Sequence, residues 1–136
     1  MIKTSNRIIA VTLLSFSLLV LVGRGNKVPA LLSVSGQPIE FWLAALRERG
    51  QDVNQRIKAV RALSNVGNAH EAAIPAISNA LEDPNVEVRA EAVLALLKSG
   101  PNSKAAIPKL QQLNQSDPEA KVRGYAEKAI AKINEG

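Results

Sequence analysis

A self-similarity of about 33 residues constrains this chain more than any other feature it carries. Gly67-x4-Ala72-Ala73-Ile74-Pro75 recurs as Gly100-x4-Ala105-Ala106-Ile107-Pro108, an offset of 33. Asp83-Pro84 recurs as Asp117-Pro118, an offset of 34, and Arg56, Arg89 and Arg123 form a third series at 33 and 34. A unit of this length is one supersecondary element that cannot bury its apolar face alone, so units must stack into a continuous core. The fold is thereby restricted to a repeat architecture.

Each unit resolves into two helices. Asp83 and Asp117 suit an N-cap, where a side-chain oxygen accepts from first-turn amides, and Pro84 and Pro118 suit the first helical position, where no N–H is needed. Gly67 and Gly100 fall where a periodic run stops, as expected of a residue that must take positive φ. The spacing predicts helix pairs over 38–48 with 53–66, 73–82 with 84–99, and 106–115 with 118–134. The repeats then run about 38–67, 68–100 and 101–134. Every periodic segment follows 3.6 and none alternates, so an all-α fold without a sheet is expected.

The second helices sort into recurring stripes. One is small and apolar: Ala59, Ala62, Val66; Ala92, Ala95; Ala126, Ala129, Ile133. It suits close contact with the other helix of the pair. A second stripe is Val53, Ile57, Val60, then Val86, Ala90, Val93, then Ala120, Gly124, Glu127, and it loses its bulk in the third unit. A flank that turns polar marks the terminal cap of a stack.

Asp83-Pro84-x4-Arg89-x2-Ala92 and Asp117-Pro118-x4-Arg123-x2-Ala126, with the two Ala-Ala-Ile-Pro helix starts, resemble the HEAT superfamily. The likeness is particularly to the short bacterial HEAT-like repeats first associated with phycobilisome lyases. It covers about residues 38–134 and implies a short right-handed α-solenoid of about three helix pairs, in which the arginines pair with loop aspartates of their own or adjacent repeats. The first unit departs from the pattern, since Asp52 is followed by Val53 and lies only four residues before Arg56. Gly36-Gln37-Pro38-Ile39-Glu40-Phe41-Trp42-Leu43 is also similar to the lead-in of some exported bacterial HEAT proteins.

Ahead of the repeats, Lys3 and Arg7 precede Ile8 to Val22, an apolar run diluted only by Thr12, Ser15 and Ser17. A helix of that length rises about 22 Å, short of the roughly 30 Å hydrocarbon core but within the range of a signal-peptide apolar region. Arg24 and Lys27 downstream, and the lack of a clean cleavage site, favour an uncleaved anchor instead. Residues 1–23 are therefore expected to be a signal peptide or membrane anchor, an N-terminal hydrophobic helix that contacts the membrane through residues 8–22 if uncleaved. Residues 24–37 are expected to be a linker, and the body to be exported, in a periplasmic or other extracytoplasmic space. Positive charge flanks both ends of the run, and the free amino terminus with Lys3 and Arg7 tips the orientation toward N-terminus inside and body outside.

This leader also explains the basicity. The net charge is +5 over 136 residues, yet Lys3, Arg7, Arg24 and Lys27 stand without an acid in residues 1–35, leaving 13 basic against 12 acidic side chains beyond. A nearly neutral body lacks the footprint that phosphate-backbone binding needs, so no nucleic-acid partner is expected. There is no Cys and one histidine, His70, so neither a metal cage nor a Ser-His arrangement can be assembled within one chain. No metal, cofactor or catalytic residue is expected, and His70 is read as an exposed loop residue. Glu82-Asp83 is better explained by capping than by acid–base work.

One stripe remains once caps and core are removed: Asn54, Lys58, Arg61, Asn65; Glu87, Glu91, Leu94, Lys98; Lys121, Tyr125, Lys128, Lys132. Its 4,3,4 spacing puts each set on one helix face, which the HEAT resemblance places on the concave side. Leu94 and Tyr125 in a field of charges make a candidate protein-binding surface, centred on Lys58, Arg61, Glu91, Leu94, Tyr125 and Lys128. Trp42 is expected to pack within the first repeat. The function expected is a non-enzymatic interaction or scaffold module with a protein partner; the alternative that the resemblance implies is a bilin-lyase-like enzyme or enzyme subunit.

Overall fold

The computed structural model describes residues 33–48, 50 and 52–136. The apolar run 8–22, and with it the expected signal peptide or anchor, lies outside the described residues. Among the described residues, no helix is long and apolar enough to cross a membrane.

The first described element is one the periodicity does not reveal. Ser33–Val34 (β1) pairs antiparallel with Gln37–Pro38 (β2), Ser33 opposite Pro38 and Val34 opposite Gln37. Ser35 and Gly36 both take positive φ, 53° and 77°, the signature of a two-residue hairpin turn whose twist matches the strands. The expectation of no sheet is corrected to this extent, because two-residue strands are too short to alternate visibly. The ribbon is fixed to the first helix by the Trp42 indole N–H, which donates to the Val34 carbonyl at 2.9 Å. Trp42 is buried, as a packing residue should be, with Phe41 edge-on against it.

Six α-helices follow among the described residues: α1 Ile39–Arg47, α2 Val53–Val66, α3 Ala73–Ala80, α4 Val86–Ser99, α5 Ile107–Ser116 and α6 Ala120–Asn134. They form the pairs α1/α2, α3/α4 and α5/α6, and α2, α4 and α6 pack in series as one layer. Gly67 and Gly100 take φ of 52° and 56° with ψ near −130°, a region open essentially to glycine alone. Each ends its helix and directs the chain into a 3₁₀ segment, Gly67–Ala69 and Gly100–Ala106.

The second helices of repeats two and three start two residues later than Pro84 and Pro118 suggest. Asn85 caps α4, its Oδ1 accepting from Glu87 N–H at 2.9 Å and Val88 N–H at 3.3 Å. Asp83 and Asp117 instead form turns, each accepting through Oδ1 from the N–H two residues on, Asn85 and Glu119, at 2.9 Å. Their carboxylates are thus turned inward, toward the arginines.

The core runs continuously along the stack. Leu63, Leu96, Ile77, Leu81, Leu110, Val122 and Ile133 are fully buried, as is the small stripe of Ala59, Ala92, Ala126 and Ala129. The second stripe behaves as a flank that meets the following repeat: Val60 and Val93 are fully buried, while Glu127, in the same register on α6, is exposed. Val53 and Ile57 are only half-buried. Leu63, Val88, Leu96 and Val122 lie in neither sequence stripe yet are wholly enclosed, because helices of the second layer are covered on three sides rather than two.

Candidate interaction surface

Two polar systems organise the molecule, one buried and one exposed. In the buried one, Arg56 grips Asp83 of the next repeat through Nε–Oδ2 at 2.8 Å and Nη2–Oδ1 at 2.9 Å. Arg89 repeats the grip on Asp117 at 2.8 and 3.1 Å. Two parallel N–H···O bonds match the planar guanidinium to the carboxylate. Arg89 Nη1 also donates to the carbonyls of Asp83 and Pro84 at 3.0 and 3.2 Å, so one side chain ties its own loop to the next. Arg123 makes the same two carbonyl contacts, to Asp117 and Pro118 at 2.7 and 3.1 Å, but none to an aspartate of a later repeat among the described residues.

Burial pushes the Asp117 carboxyl upward. The Arg89 fork, the Glu119 N–H and the charges of Arg89 and Arg123 outweigh that effect and leave it below the usual aspartate value. Arg89 is raised above the usual arginine value, chiefly by its hydrogen bond to Asp117. Both residues are held ionised, which is structural use. Glu82, next to Asp83, pairs with Lys109 at 3.0 Å. These paired groups line a groove of about 250 Å³ on the loop side of repeats two and three.

His70 is half-buried rather than exposed. Its Nδ1 accepts from the Ala72 N–H at 3.3 Å, so the ring folds over the start of α3 as a local cap. Among the described residues, no group of three or more potential ligands is close enough to hold a metal ion.

The exposed system is the outer face of the second-helix layer, where the 4,3,4 stripe falls. The helices bring its residues together across the repeats: Arg61 Nη2 pairs with Glu91 at 2.9 Å, Lys98 donates to Asn65 Oδ1 at 3.1 Å, and Lys121 pairs with Glu87 at 3.2 Å. The Arg61 pKa is raised by its hydrogen bond to Glu91. Between α2 and α4 this face opens into a shallow groove of about 190 Å³ lined by Arg61, Ser64, Asn65, Glu91, Leu94 and Lys98. Leu94 is 39% exposed there, and Lys58 and Lys128 are exposed on the flanking helices. Tyr125 differs from its expected orientation: it is half-buried and packs against the core. Ser64 lines the groove without belonging to the stripe, and its position three residues from Arg61, one helical turn on, was the available signal.

Three helix pairs in series, tied by a repeated Arg–Asp grip, define an α-helical repeat protein. A family model for HEAT repeats matches residues 39–131, more than half of the chain. The chain belongs to the HEAT-repeat family, whose members are typically non-enzymatic helical scaffolds that mediate protein–protein interaction. No curated protein and no solved structure matches it at a significant level.

Proposed function

We propose that this protein is a non-enzymatic interaction module held outside the cytoplasm by its N-terminal segment, and that the outer face of α2, α4 and α6 receives a partner protein. The observation that carries the reading is Leu94. A leucine kept 39% exposed in a groove whose rim is charged supplies the apolar centre and polar rim of a protein contact. Lys58, Arg61, Glu91, Tyr125 and Lys128 surround that centre in the repeat register, with Tyr125 half-buried.

Two measurements test the parts separately. A photo-crosslinking residue at position 94 should give a discrete protein adduct in intact cells, and the same residue at Gln111, exposed on α5, should not. Equal labelling from both positions refutes the site. For the address, a reporter active only outside the cytoplasm and fused after residue 136 should give signal that is lost when residues 1–23 are deleted; signal from both refutes export.

A further inference from the structure

The charges of the repeat domain are not evenly spread. The twelve positions of the second-helix face carry six basic side chains and two acidic ones, whereas the rest of residues 36–136 carries seven basic and ten acidic. Near-neutrality of the domain as a whole hides a basic face on a body of opposite sign. Both carboxylates of that face are already engaged, Glu91 by Arg61 and Glu87 by Lys121. Lys58 and Lys128 have no carboxylate partner among the described residues, and Lys98 meets only the uncharged Asn65 amide.

Leu94 sits at the middle of this arrangement. In the repeat register its neighbours on α2 and α6 are Arg61 and Lys128, and Lys98 lies one turn further along α4. We infer that the partner contacts this face through an acidic segment, with carboxylates that meet Lys58, Lys98 and Lys128 and an apolar side chain that seats on Leu94. This rests on the reading of the face as a protein-binding surface and specifies its partner's chemistry. The complementarity of sign steers encounter and selects the partner more than it adds affinity, and at exposed lysines it is screened by salt.

The same observations favour a peptide over other polyanions. Glu87 and Glu91 stand within the face and would repel a uniform phosphate backbone or an anionic lipid surface, while a peptide can place its acids around them. Membrane insertion would need an apolar stripe along a helix, and here Leu94 is flanked by charges.

The test uses the full chain in non-ionic detergent and two labelled peptides, one alternating Glu with Leu and one alternating Lys with Leu, read by fluorescence anisotropy. The Glu peptide should bind at least about tenfold more tightly, and its affinity should fall several-fold between about 50 and about 300 mM salt. The combined substitution K58E, K98E and K128E should reverse the preference while the helical melting curve stays in place; K58Q, K98Q and K128Q, which should abolish the preference, serves if the reversed variant does not fold. Equal binding of both peptides, no binding of the Glu peptide, or an unchanged preference in the variants overturns the inference. Displacement of the Glu peptide by single-stranded DNA or by phosphatidylglycerol dispersed in the same detergent micelles, at equal charge, also overturns it, in favour of a general polyanion site. If both peptides bind equally and Leu94→Ala weakens both, the acidic specificity fails and the protein-binding surface stands. If Leu94→Ala changes neither, that surface falls as well.

Discussion

Arg89 and Arg123 occupy the same register of consecutive repeats, and methionine in place of either should have unequal consequences. Methionine keeps much of the aliphatic bulk and removes the fork. At position 89 it strands Asp117, whose side chain is 1% exposed and keeps only the Glu119 N–H at 2.9 Å as a close donor. A buried charge stripped of its paired fork costs up to about 3–5 kcal/mol, eased here by the charge of Arg123, and even part of that is a large share of the roughly 5–15 kcal/mol expected for a domain of this size. At position 123 the loss is two hydrogen bonds to carbonyls at the solvent edge, Asp117 and Pro118, worth about 1–2 kcal/mol together. Urea unfolding of the full chain followed by far-ultraviolet circular dichroism measures both. Arg89→Met should lower the midpoint at least about twice as far as Arg123→Met, and Arg89→Met with Asp117→Asn should recover part of the loss because the stranded charge is gone. Equal losses at the two positions would show that the carbonyl contacts alone carry this register and that the inter-repeat grip contributes nothing.

The core and the face should separate in the same assay: Leu96→Ala, at a fully buried position, should cost about 2–5 kcal/mol, whereas Leu94→Ala should stay within about 0.5 kcal/mol. A comparable loss at both would place Leu94 in the core. Acid should also act through the buried grip. The Asp117 pKa is lowered on folding, so its contribution is full above the unfolded value of about 3.9 and is lost as pH falls through the folded one. Unfolding free energy measured from neutral pH downward should therefore drop below about pH 4, and less steeply in Asp117→Asn; parallel slopes would refute the assignment.

What the sequence determined by itself was the architecture. Period 33, the 3.6 patterning, the positive-φ glycines and the Asp–Arg spacing are all local or repeated quantities, and repetition makes them legible: an accident at one position does not recur at two others. Local chemistry likewise marked Trp42 as packing and the flank through Glu127 as a cap. The ribbon at 33–38 escaped, because a two-residue strand has no period, although Ser35-Gly36 is turn chemistry.

Tertiary structure decided the rest, wherever a side chain's role depends on what arrives from another repeat. Asp83 and Asp117 look like helix caps in one dimension, and become the acceptors of arginines 27 and 28 residues earlier once the helices stack. Tyr125 has the register of a surface residue and is half-buried against the core, while Ile57, apolar and in register for the core, is left half-exposed. The pairing of Glu87 and Glu91 across helices, which leaves Lys58, Lys98 and Lys128 without carboxylates among the described residues, exists only in the assembled layer. Spacing along a helix fixes direction about its axis, and burial is fixed by the surface of the element packed against it.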